Sequence, residues 1–227
     1  MKDVYLDNAA TTRMLPEVVD VMKKYMEDKF GNPSSSYTIG FDARKTIGAA
    51  RNTIAETINA KSNEIYFTSG GSEGDNWAIK GIADSMHNKG NHIITSSIEH
   101  KAVLNSCKFL EEHGYEVTYI SPDERGFIHA EDIERSIRND TILCSIMMAN
   151  NEIGTINPIR EIARICNEHG VLFHTDAVQA YGHMNIDVHS LGVDLLTTSG
   201  HKFHGPNGTG FLYIKSETPI SPLIHGG

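Results

Sequence analysis

Apolar residues recur along this chain at two alternating periods. In PEVVDVMKKYMEDKF, Val18, Val19, Met22 and Met26 return every three or four residues, and Pro16 stands where a first helical turn accepts it. That spacing predicts an α-helix with one apolar face. FDARKTIGAARNTIAETINA predicts a second helix. Shorter β-rich runs then alternate with longer amphipathic ones: EIYFTS, HIITSS, YEVTYIS, TILCSIMM, VLFHTDA, VDLLTTS and GTGFLYI read as strands. Between them, SEGDNWAIKGIADSMHNKG, HKAVLNSCKFLEEHG, AEDIERSIR and IREIARICNEHG read as helices, two of them closed by Gly114 and Gly170. Repeated βα units of this kind predict an α/β fold, a mostly parallel sheet with helices on both faces. Ligands in such folds bind beyond the carboxyl ends of the strands.

The totals narrow the function classes. The chain has 227 residues, 39% hydrophobic and 22% charged, which fits one large α/β domain and a sizeable core. Its formal net charge is −9 and its Lys and Arg residues form no stripe, so nucleic acid is not an expected partner. No apolar run is long enough for a bilayer, and Met1-Lys2-Asp3 does not open a signal peptide. Cys107, Cys144 and Cys166 lie far apart, without a CxxC pair, and no tight His spacing marks a metal site. A cytoplasmic protein without membrane contact is the expectation.

Four strand ends carry chemistry. In FTSGGSEGDNWAIKG, Gly71 and Ser72 open a helix whose free N–H groups could cradle an anion, or the segment is a capped tight turn. Glu73 and Asp75 in the first turn would repel a phosphate unless they point away. In VLFHTDAVQAYG, Asp176 ends a strand with Gln179 three residues on; the carboxylate could cap the next turn or hold a protonated ring nitrogen. In SSIEHKAV, His100 precedes a helix as a cap neighbour, a base or a stacking surface. In TTSGHKFHGPNG, Ser199, His201 and Lys202 follow another strand. A lysine with an ordinary pKa of about 10.4 is a poor nucleophile, but one bonded to an aldehyde cofactor exchanges readily with a substrate amine. A pyridoxal 5′-phosphate site needs such a lysine, a carboxylate for the ring nitrogen and a phosphate cradle. The chain offers one candidate for each.

YLDNAATT, FGNPSSSYTIG, TSGGSEGDNWAIKG, SIEHKAV, NNEIGTINPI, HTDAVQAYG and SGHKFHGPNGTGFLYI together resemble the successive motifs of class V aminotransferase-type enzymes, and most closely the cysteine desulfurases of the NifS/IscS group. The resemblance runs the whole length of the chain. It implies the large domain of a fold type I PLP-dependent transferase, spanning 16–227 after an N-terminal segment at 1–15. It implies that Lys202 bonds the cofactor and later moves protons, Asp176 holds the ring N–H, and Gln179 binds the phenolic oxygen. His100 would stack on the ring and move protons, while Gly71, Ser72, Ser199 and His201 would hold the phosphate and Asn151 would face cofactor and substrate. It also implies L-cysteine as substrate, L-alanine as product, sulfur leaving as an enzyme persulfide for iron–sulfur cluster or other delivery, a homodimer, and a sulfur-acceptor protein. Tyr37 stands where the family often has His, with little consequence expected. LIHGG lies inside a glycine-rich family motif, beyond which the family carries its nucleophilic cysteine loop and small domain. The expectation is therefore a cofactor-binding domain inactive alone, its three cysteines buried and structural. A selenocysteine lyase, another class V lyase and a non-catalytic scaffold domain are the alternatives.

Overall fold

The computed structural model describes residues 4–226; Met1–Asp3 and the outer limits of the ranges 1–15 and 16–227 lie outside it. Helices α1 (Pro16–Glu27) and α2 (Thr38–Thr57) precede β1 (Ile65–Thr68) and α3 (Gly71–Met86). There follow β2 (His92–Ser96), α4 (Lys101–Glu111), β3 (Glu116–Ile120), α5 (Ala130–Ser136), β4 (Thr141–Ser145) and α6 (Ile159–Glu168). The chain continues through β5 (Leu172–Asp176), a short α7 (Val188–Leu191), β6 (Leu195–Thr197) and β7 (Gly210–Ile214).

Among the described residues the seven strands form one sheet in the order β1-β7-β6-β5-β4-β2-β3. The pairs from β6 to β3 are parallel, whereas β7 runs antiparallel to both β6 and β1. Alternation along the strands supplies two cores. Ile93, Leu195, Leu212 and Ile214 face α3 and α4, where Ile79, Ile82, Val103 and Leu110 meet them. Ile94, Phe173, Leu196, Phe211 and Tyr213 face the other way, against Ala55 of α2, Ile133 of α5 and Ile159 and Ile162 of α6. One residue per step changes face because successive side chains on a strand point to opposite sides. The period of α6 is equally direct: Ile159, Ile162, Ala163 and Cys166 are buried, while Arg164 turns outward and pairs with Glu168 at 2.7 Å.

Three differences from the sequence reading stand out. Helix α2 begins at Thr38, three residues before the expected Phe41. The four-residue α7, capped by the Asp187 side chain, has no apolar period long enough to announce it. The apolar face of α1 finds no core: Val18, Val19 and Met22 are only half-buried, and Met26 is 71% exposed. Val4, Leu6, Phe30 and Phe41 are exposed beside it in sequence, so this end of the chain carries apolar surface the sheet does not cover.

Candidate active site

Loops after β1, β2, β4, β5 and β6 meet at the carboxyl ends of the parallel strands. They line a cavity of about 460 Å³ that holds Gly71, Ser72, His100, Asn151, Asp176, Gln179, Ser199, His201 and Lys202. All nine residues singled out in the sequence are therefore in one place.

Six of them are held by interactions on their own elements or on the segment facing them. Asp176 ends β5 with its side chain 5% exposed. Its Oδ1 accepts the Val178 N–H at 2.8 Å, so the turn cap exists and still leaves the second oxygen for the cavity. Burial pushes this carboxyl up, and the Val178 N–H, His100 and Lys202 pull it back down. His100 is the N-cap of α4, where Nδ1 accepts the Ala102 N–H at 3.1 Å; the cap fixes the ring at the cavity wall. Gly71 opens α3, and Gly70 before it has φ +145°, a conformation that side chains oppose. A Cβ on Gly71 would stand 2.8 Å from Val178 Cγ2, so glycine keeps this wall open. Glu73 turns back, its Oε2 accepting the Ser69 N–H at 2.7 Å, which removes one of the two carboxylates from the helix mouth. Asp75 is buried at 1% exposure and also lines the cavity.

Lys202 closes a 3-10 turn, Gly200–Lys202, between the adjacent antiparallel strands β6 and β7. Its Nζ donates to the carbonyls of Ala9 at 2.5 Å and Ala10 at 2.9 Å. Burial lowers its proton affinity, against the opposing charges of Asp176 and Asp7. Gln179 Nε2 donates to the same Ala9 carbonyl at 2.8 Å. Thr12 locks the strap carrying these carbonyls: its N–H and Oγ1 donate to the His201 carbonyl at 2.9 and 2.8 Å, and its Oγ1 accepts the His204 N–H at 2.7 Å. His201 Nδ1 lies 3.0 Å from Thr11 Oγ1. Burial and then Lys202 hold His201 below the usual imidazole range.

Asp7, Ala9, Ala10, Asp75, Met147 and Val178 also line the cavity and were not singled out as site residues. The strap sits in YLDNAATT, a small-residue stretch ahead of the first helix, and only its motif likeness marked it. The cysteines are elsewhere. Cys107, Cys144 and Cys166 are all fully buried, with burial pushing Cys107 up to about 12 and Cys144 well upward.

The sequence matches the aminotransferase class-V family over residues 4–227. The chain belongs to that family. It is 57% identical over its full length to "Cysteine desulfurase IscS" of Methanosarcina thermophila, covering 56% of that protein, and 54% identical to the Clostridium botulinum protein of the same name, covering 57%. This class V chain thus spans little more than half the length of the curated relatives it matches. Among solved structures, "SspA in complex with cysteine" superposes with a TM-score of 0.96 at 44% identity, over 99% of this chain and 65% of that one. A "NIFS-LIKE PROTEIN" gives 0.97 at 42%, over 100% and 62%. The class V family is pyridoxal-phosphate-dependent, and the donor set fits that cofactor. A buried carboxylate with a free oxygen faces the cavity, a lysine stands at the same cavity, and a glycine-opened helix start lies on its wall. Among the described residues, no helix is long and apolar enough to cross a membrane.

Proposed function

We propose that this chain is the pyridoxal 5′-phosphate-binding domain of a cysteine desulfurase, an enzyme that takes sulfur from L-cysteine and leaves L-alanine. The observation that carries the reading is the meeting of Lys202, Asp176 and the Gly71 helix start in one cavity. Bound there, the cofactor supplies an electron sink for the carbon next to a substrate amine. The chain's own residues do the rest. Asp176 holds a proton on the ring nitrogen through its free oxygen, because an ionised carboxylate in a buried site favours a positive partner. His100, fixed by its cap at the cavity wall, would stack on the ring. Gln179 would bind the phenolic oxygen. Ser72, Ser199, His201 and the first N–H groups of α3 take the phosphate, helped by the helix dipole. Lys202, the residue that would bond the cofactor, would also accept and return protons, and its lowered proton affinity suits that work. Asn151 faces the substrate side of the cavity.

The sulfur carrier of the reaction is not Cys107, Cys144 or Cys166, since all three thiols are wholly buried and a buried thiol meets no substrate, and burial further opposes the thiolate at Cys107 and Cys144. The chain alone is therefore expected to take up cofactor without turning over L-cysteine. We extend the reading to a cytoplasmic homodimer that passes sulfur to an acceptor protein for iron–sulfur clusters. The exposed apolar surface at Val4, Leu6, Phe30 and Phe41 supports the presence of a covering partner.

The test is cofactor titration with visible absorbance, then borohydride reduction and peptide mass mapping, with Lys202→Ala beside the parent chain. A band trapped on Lys202 and lost in the variant is the expected result. Label scattered over surface lysines refutes the assignment and favours a scaffold domain without cofactor chemistry.

A further inference from the structure

Beneath the cavity lies a polar layer that the proposed roles do not use. Asp75, just past the first turn of α3, has both carboxylate oxygens buried and without a well-formed hydrogen bond, Thr197 standing near enough only for a weak contact. The nearest basic group, His174 Nε2 on β5, is 3.7 Å from Asp75 Oδ1. That imidazole is already engaged on both nitrogens, Nδ1 with Ser145 Oγ at 2.8 Å and Nε2 with Thr197 Oγ1 at 2.9 Å. Lys202, which faces the same cavity, spends its Nζ protons on the Ala9 and Ala10 carbonyls. Two more carboxyls surround the site: Asp176 from β5, and Glu99 from the segment after β2, whose Oε2 is also buried without a partner. An ionised Asp75 would be a buried charge with no counter-ion, facing two other acids.

We infer that Asp75 is carried as a neutral carboxylic acid in the cavity floor and is a positioning residue for Asp176, leaving Asp176 as the floor's one negative charge toward a cofactor ring nitrogen. The role toward Asp176 rests on the pyridoxal-phosphate reading; the neutral acid itself does not. Crowded carboxyls cannot all ionise, so the one with the least hydrogen-bond support keeps the proton. Asp176 has the Val178 N–H, with His100 and Lys202 nearby to stabilise its charge, and Asp75 has none of these. Burial and the neighbouring Asp176 push Asp75 well upward, Thr197 pulls weakly against them, and Glu99 adds to the rise. Glu99 is itself pushed up to about 8 by burial, so it too is mostly protonated at neutral pH. Burial pushes His174 down to about 3, so it stays neutral. A protonated Asp75 has an O–H to donate, which an aspartate lacks, and this lets it order the Asp176 carboxylate without competing with it.

Two measurements decide the point. Urea unfolding of the parent chain and Asp75→Asn, from pH 5.5 to 7.5, counts protons. An unfolded Asp is ionised throughout that range, so a neutral buried Asp75 releases one proton on unfolding. The ratio of the two unfolding constants should then change about tenfold per pH unit. A ratio independent of pH overturns the inference, because Asp75 would then be ionised in both states. Cofactor titration tests the positioning. Asp75→Asn keeps a donor and should hold the pyridoxal phosphate Kd within about threefold, whereas Asp75→Ala removes it and should weaken Kd about tenfold, the scale of one hydrogen bond. Equal losses in both variants, or none in either, refute the positioning role. If the parent chain takes up no cofactor while the one-proton difference persists, the neutral acid is upheld and the proposed function falls, together with the role toward Asp176.

Discussion

Thr12 ties the N-terminal strap to the lysine turn, and replacing it with valine removes that tie with little change of shape. The residue is 8% exposed, so water does not substitute for what is lost. In Thr12→Val the His201 carbonyl still receives the Thr12 N–H at 2.9 Å, but the His204 N–H loses the hydroxyl it reached at 2.7 Å. A stranded donor costs about 1–3 kcal/mol and the second lost bond about 1 kcal/mol, offset in part by the added methyl, for a net near 2 kcal/mol. Thr12→Ser keeps both bonds and gives up one methyl, about 1 kcal/mol or less. Because Ala9 and Ala10 anchor Lys202, opening of the strap frees that amine. A shift of about 2 kcal/mol in local opening corresponds to a roughly 30-fold rise in the acylation rate of Lys202 when opening limits the reaction. Peptide mapping after timed acylation gives that rate, and urea unfolding gives the global stability. Equal Lys202 reactivity in the valine and serine variants would refute the idea that these bonds hold the lysine in place.

Gly71→Ala sets a Cβ 2.8 Å from Val178 Cγ2 and should cost about 1–3 kcal/mol by overpacking. Adding Val178→Ala should recover most of it, and a double-mutant cycle in urea with no coupling would reject the contact as the cause. Glu99, held near 8 against an ordinary 4.5, contributes stability that is complete below about pH 4.5 and is lost as pH rises through 8. Glu99→Gln should therefore lose about 3 kcal/mol less than the parent chain between pH 5 and pH 7, and parallel curves would show an ionised Glu99 in the folded state.

The α/β alternation was legible because strands such as β6 and β7 are short and apolar while α6 repeats at 3.6 residues, so the two periods separate cleanly. Strand direction was not: GTGFLYI reads like any buried strand, and only the tight Lys202 turn makes β7 run back between β6 and β1. Eight of the nine candidate residues were visible as types at strand ends, while Asn151 and the roles proposed for all nine came from the motif likeness. Asp75 was visible as a difficulty for phosphate binding, yet its solution depended on helical phase. Glu73 is free to fold back over the helix start, while Asp75, two residues on, points under the sheet end. The helix of α1 and its apolar stripe were legible, but amphipathic periodicity does not say which surface covers such a stripe.

The placement of β7 also sets an order of events during synthesis. Strand β1, at residues 65–68, pairs with β7, at 210–214, and stands at the edge of the sheet on its other side. About 140 residues must therefore leave the ribosome between one member of this pair and the other, a long loop to close. The parallel strands from β2 to β6 can assemble meanwhile, but the lysine turn takes its final shape only when β7 slots in. Cofactor capture at the proposed site would thus be a late step, and a nascent chain stalled before residue 210 would expose an unpaired β1 to other strands.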